Sequence, residues 1–141
     1  MAIRTTTKEN PVLTSRHGAD QAYMLLRTVF TVAPILFGLD KFFELMTTWE
    51  KYLAPQIDTI VPGTARQAML LVGVVEIAAG ILVAVMPRIG GYVVALWLVG
   101  IIVNLLLLGQ FYDVALRDFG LLVAALALAR LAAWRHAVRT P

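Results

Sequence analysis

At 141 residues the chain has the length of one small domain, yet 60% of its side chains are hydrophobic and only 15% are charged. With a mean hydropathy of +0.79 it carries more apolar surface than a water-soluble domain of this size could bury, which excludes an ordinary soluble protein. The absence of cysteine excludes disulfide exchange, thiolate metal sites and iron-sulfur clusters. The net charge of +3 is distributed over segment flanks and forms no nucleic-acid footprint.

Residues 1–22 are polar, with Thr5, Thr6, Thr7, Lys8, Glu9, Asn10 and Pro11 in succession, and they lack the apolar run of a cleavable signal peptide. The expectation is a flexible cytoplasmic tail. Four apolar segments follow, at about 23–45, 66–86, 89–108 and 113–134, each close to the ~20 residues that cross the hydrocarbon of a bilayer. All are expected to be helices, because a helix satisfies its own backbone in lipid.

In the first segment Arg27, Thr31, Pro34, Gly38 and Lys41 recur at three- and four-residue steps and make one stripe. Pro34 frees the carbonyl of Phe30, and Gly38 leaves room for a neighbour. Asp40 and Glu44 lie near the outer end of the same segment. The link at 46–65 mixes Trp49 and Tyr52 with Glu50, Lys51 and Asp58, and is expected to lie as a short amphipathic piece on the outer surface.

The second segment holds Gly73-Val74-Val75-Glu76-Ile77-Ala78-Ala79-Gly80, a carboxylate in mid-span on a face thinned by two glycines. A carboxylate facing hydrocarbon would cost on the order of 2.5 to 3.5 kcal/mol, so this face is expected to point inward. There Glu76 must be neutralised by a cation such as Arg27 or Arg117, or hold a proton. Such a group either transfers protons and binds ligands or serves as a plain interhelical hydrogen-bond donor.

The turn at Pro87-Arg88 is short enough to force the second and third segments into an antiparallel hairpin. Trp97 falls in mid-span, where packing or lining a pocket suits it better than anchoring, and Asn104 lies toward the outer end. The fourth segment opens with Arg117 and Asp118. Residues 135–141 form a second cytoplasmic tail. The two histidines, His17 and His136, lie in the flanks, so neither a haem held between helices nor another metal site is expected.

Orientation follows from the cations. Four crossings put both termini on one side, and that side carries Arg4, Lys8, Arg16, Arg27, Arg88, Arg130, Arg135 and Arg139, eight of the twelve Lys and Arg residues. It is therefore assigned to the cytoplasm. The fold expected is all-α, an integral membrane four-helix bundle with both ends inside. Asp40, Lys41, Glu44, Asn104, Arg117 and Asp118 then crowd the outer half around Glu76, while the inner half has only Arg27. The distribution suggests a polar cavity opening outward with Glu76 near its floor. If the charges serve only to hold the helices together, the expected pairs are Lys41 with Glu44 or Asp118, and Arg117 with Asp40.

Taken together, Leu26-Arg27, Gly38-Leu39-Asp40-Lys41, the Gly73 to Gly80 motif, the Pro87-Arg88 turn and Arg117-Asp118-Phe119-Gly120-Leu121 resemble the DoxX family of small four-helix bacterial membrane proteins. That family includes the DoxD-like subunits of thiosulfate:quinone oxidoreductase. The resemblance covers about 110 of the 141 residues; the chain departs from some members in ending on Arg135-His136-Ala137-Val138-Arg139. It implies a place in the bacterial cytoplasmic membrane and association with membrane redox systems, some of them quinone-linked.

Three functions are compatible with these features. The first is an accessory or quinone-interacting subunit of a membrane oxidoreductase, with no redox cofactor held by its own ligands and a partner subunit supplying the electron carrier. The second is a proton-coupled small transporter using Glu76. The third is a non-catalytic scaffold or assembly subunit, working with a partner or as a homo-oligomer, in which the charges are glue. The ligand- or proton-binding residues expected are Glu76, Lys41, Asp40, Arg117, Asp118, Asn104 and Arg27.

Overall fold

A computed structural model describes residues 10–140. Among them the order is α1 (Pro11–Phe43), a 3-10 turn (Trp49–Tyr52), the single-turn α2 (Pro55–Asp58), α3 (Ala65–Val85), α4 (Pro87–Leu108) and α5 (Tyr112–Arg139). Three of these, α1, α3 and α4, are long and apolar enough to cross a membrane. The expected polar tail is only partly tested, because residues 1–9 lie outside the described region.

Helix α1 begins well before the expected start near Tyr23. Asn10 caps it by accepting a hydrogen bond from the Val12 amide at 3.1 Å, and Pro11 occupies the first turn, where its missing N–H costs nothing. The segment from Pro11 to Ala22 is thus helical in spite of its polarity. At the other end α5 continues past Trp134 to Arg139, so the short second tail is largely helix as well.

The boundaries of the other helices follow local chemistry. Thr64 and Gln67 form a reciprocal capping box at the start of α3, with bonds of 3.2 and 3.0 Å. Pro87 opens α4, and Gly109 closes it in the left-handed region at φ 71°. Two non-glycine residues adopt left-handed backbone, Glu44 (φ 51°) after α1 and Phe111 (φ 59°) before α5. Such conformations carry a strain of order 1 kcal/mol or more, and the Phe111 ring is held 4.6 Å from that of Tyr52.

Each long helix runs antiparallel to the neighbours it packs on, α1 against α3, α3 against α4, α4 against α5 and α5 back against α1. One end of the molecule gathers the start of α1, the α3–α4 turn and the end of α5, as the contacts of Asp20 with Arg135 and of Arg27 with the Ala84 carbonyl show. The other end gathers the 3-10 turn and α2.

Small residues set the helix spacing. A Cβ on Gly38 would lie 2.5 Å from the Gly73 carbonyl oxygen, and one on Gly73 would lie 2.7 Å from the Gly38 oxygen, so the two backbones touch. Gly91 of α4 meets α5 in the same way, against the Ala125 carbonyl and Ala129. The centre is filled by Val83, Ala125, Leu128 and Ala129, all fully buried, with Phe30 and Leu98 beside them. Large apolar side chains such as Leu25, Leu36, Leu71, Leu96, Leu116 and Phe119 point outward, as lipid-facing residues do.

Candidate functional site

The touching glycines bring the site together. Gly38 precedes Lys41 by three residues and Gly73 precedes Glu76 by three, so each charged side chain stands beside the α1–α3 seam. Because the backbones are in contact, the Lys41 Nζ reaches Glu76 Oε2 at 2.7 Å, and the two side chains are only 4% and 11% exposed. The cation that neutralises Glu76 is therefore Lys41, neither Arg27 nor Arg117.

The other expected pairings are also replaced. Arg117 bonds through Nε and Nη2 to Oδ1 of its neighbour Asp118, at 3.2 and 3.0 Å. Glu44 pairs with Arg66 at 2.7 Å. Asp40 is taken up by its own helix end: it accepts from the amides of Leu45 and Met46 at 2.9 and 3.1 Å, and from Trp49 Nε1 at 2.8 Å. These bonds hold the chain in the sharp turn that the left-handed Glu44 begins.

That turn lays Trp49 over the site. The Lys41 Nζ lies 3.8 Å from the centre of the indole ring, a cation–π contact that covers the ammonium from the outer end. Phe37 and Tyr52 pack on the same indole. Asn104 then clamps the segment to α4, its amide donating to the Tyr52 carbonyl at 2.6 Å and its oxygen accepting from the Ala54 amide at 2.8 Å. With both functions of the amide engaged, Asn104 is a tether for the loop.

The end of the molecule that gathers these residues is accordingly polar, and Trp49 covers the Lys41–Glu76 pair there. Arg27 stands apart, about 20 Å along α1 from Lys41 at 1.5 Å per residue, and donates to the Ala84 carbonyl of α3. It does not reach Glu76.

Two further groups act on the Glu76 carboxylate, one from each remaining long helix. Asp118 of α5 is 3% exposed and lies within electrostatic range. Trp97 of α4 turns its indole Nε1–H toward the same carboxylate, and that nitrogen is shielded from solvent. Trp97 was legible in the sequence only as a tryptophan at the wrong depth for a membrane interface.

Beside Trp97 the α3 and α4 surfaces part to leave a cleft of about 310 Å³. Its walls are Val75, Ala78, Ala79 and Leu82 on α3, and Val93, Leu96, Trp97 and Gly100 on α4. Gly100 is responsible for much of the space, since a Cβ there would meet nothing within 4 Å. The cleft has apolar walls and one indole face, which suit a flat apolar ring. No group of three or more His, Asp or Glu side chains able to hold a metal occurs among the described residues. Comparison with protein-family models, with curated proteins and with solved structures finds no match to this chain.

Proposed function

We propose that the chain is a four-helix integral membrane protein in which α5 also crosses the bilayer, with both ends on the cytoplasmic side of a bacterial inner membrane. In this reading it is a quinone-interacting subunit of a membrane oxidoreductase, as its DoxX-like motifs imply. The observation that carries the proposal is the apolar α3–α4 cleft walled by the Trp97 indole, together with the buried Lys41–Glu76 pair.

The cleft lies at the small end of ligand sites, which suits one substituted ring while an isoprenoid tail stays in lipid. A quinone would supply the two-electron chemistry, and the electrons would come from a partner subunit. The chain's own residues have other tasks. Val75, Ala79 and Leu82 supply apolar contact to the ring. The Trp97 indole offers a flat face against which the ring can stack. Glu76 stays paired with Lys41, and Trp49 with the Asn104 tether covers that pair.

Mild-detergent affinity purification from the native host, with an absorbance spectrum and extraction of bound quinone, tests this reading. The expected result is a partner carrying a flavin, haem or other electron carrier, together with quinone. A lone, colourless, quinone-free protein would count against it.

A second reading, a scaffold or assembly subunit, draws support from the pairing of Lys41 with Glu76 and from the backbone contact at Gly38 and Gly73. Under it, replacing the pair by apolar residues leaves the host complex fully active once assembled. The transporter reading has less support, because Glu76 is engaged by Lys41 beneath a closed aromatic cover.

A further inference from the structure

We infer that the end of the molecule where α1 begins and α5 ends binds a phosphate-bearing anion, either the headgroup of an anionic lipid or a free phosphate. This site is separate from the α3–α4 cleft and does not depend on the redox reading.

A second cleft, of about 240 Å³, is lined by Arg16 and Asp20 of α1 and by Trp134, Arg135, Val138 and Arg139 of α5. Arg16 and Asp20 are four residues apart, as are Arg135 and Arg139, so each antiparallel helix presents a pair from successive turns. The volume equals about eight waters, room for a phosphate and the start of its ester substituent.

The charges are unevenly matched. Arg135 is fixed in place, its Nε 3.2 Å from Asp20 Oδ1 and its guanidinium carbon 4.3 Å from the centre of the Tyr23 ring. Arg16 and Arg139 form no ion pair among the described residues, so within the cleft three guanidinium groups stand with the one carboxylate of Asp20. A guanidinium fork matches the oxygens of a phosphate and binds them two at a time. Trp134 lines the same cleft, and an aromatic beside a basic cleft between helices is the combination at which anionic headgroups dock. The helical start of α1 makes this geometry possible, because a flexible tail would not hold Arg16 and Asp20 against α5.

The test uses the full chain in detergent micelles, with retention of phosphatidylglycerol against phosphatidylcholine followed by native mass spectrometry and thermal unfolding. The expected result is selective retention of phosphatidylglycerol, weakened roughly 10- to 30-fold in the double variant Arg16→Gln/Arg139→Gln. Both side chains are exposed, so the fold is expected to persist, which circular dichroism checks. Arg88→Gln removes a cation at the same end outside the cleft and is expected to leave retention unchanged. Displacement by millimolar inorganic phosphate would identify free phosphate as an occupant, and resistance to displacement would identify the lipid headgroup. Equal retention of the two lipids by the wild type with no effect of inorganic phosphate, unaltered retention in the double variant, or an equal loss in Arg88→Gln would overturn the inference.

Discussion

Lys41 and Glu76 meet at 2.7 Å across the point where the backbones of α1 and α3 touch, and both side chains are almost closed to solvent. A pair in that position is costly to break, since removing one partner strands the other charge. Glu76→Gln and Lys41→Met are each expected to destabilise the protein by about 3 kcal/mol or more. The double variant Lys41→Met/Glu76→Leu is expected to recover most of that loss. Thermal unfolding in detergent, arranged as a double-mutant cycle, measures the coupling; additive losses would show that the pair does not act as a unit.

Trp49 closes the outer end through a hydrogen bond to Asp40 and a cation–π contact with Lys41. Trp49→Phe keeps an aromatic face but loses the 2.8 Å bond. Hydrogen exchange at the Leu45 and Met46 amides, which depend on the same carboxylate, is expected to rise, with global stability falling by about 1 to 2 kcal/mol. Trp49→Ala removes both contacts and is expected to raise exchange further.

Asn104 holds the segment between Tyr52 and Ala54 against α4. Asn104→Leu leaves a backbone donor and a backbone acceptor without partners, at a cost of about 1 to 3 kcal/mol. Limited proteolysis is expected to cut the Met46–Ala65 link in this variant well before it cuts the wild type. Unchanged resistance would mean that packing of Tyr52 on Phe111 suffices to hold the loop.

The glycines divide into two groups. A Cβ on Gly38, Gly73 or Gly80 would come within 2.5 to 2.7 Å of a neighbouring helix, whereas Gly100 and Gly120 face open space. Gly38→Ala, Gly73→Ala and Gly80→Ala are expected to lower the unfolding temperature. Gly100→Ala and Gly120→Ala are expected to leave it unchanged or raise it, because alanine favours a helix by up to ~1 kcal/mol. The Gly38 and Gly73 variants are also expected to loosen the Lys41 pairing.

Much of this architecture is legible in the amino-acid sequence. Runs of about twenty apolar residues, Pro87 at a turn and Gly109 after the last leucine mark the helices, and the three- and four-residue spacings of Gly38, Lys41, Gly73 and Glu76 place those residues on inward faces. The start of α1 is not legible by hydropathy, because residues 11–22 form a helix whose outer surface is polar; only Asn10 followed by Pro11 signals its cap. The partner of Glu76 is hidden for a different reason. Depth in the bilayer makes Arg27 and Arg117 look as near as Lys41, and only the contact of Gly38 with Gly73 sets the α1–α3 register. The covered state of the outer half depends on the left-handed turn at Glu44, which glycine or asparagine would have announced and glutamate does not.

A quinone bound as proposed would enter the α3–α4 cleft beside Trp97. Photolabelling of the full chain in lipid nanodiscs with a photoreactive short-tailed quinone tests it most directly, with wild type and Gly100→Phe compared by peptide mapping. A Cβ at that position meets nothing within 4 Å and Gly100 lines the cleft, so the phenylalanine ring is expected to fill it. The expected result is saturable labelling within residues 75–100 of the wild type, competed by unlabelled quinone, with at least a roughly tenfold loss in Gly100→Phe at unchanged thermal stability. Labelling spread evenly over the lipid-facing surfaces of α1, α3, α4 and α5, or labelling within residues 75–100 that persists in Gly100→Phe, would contradict it.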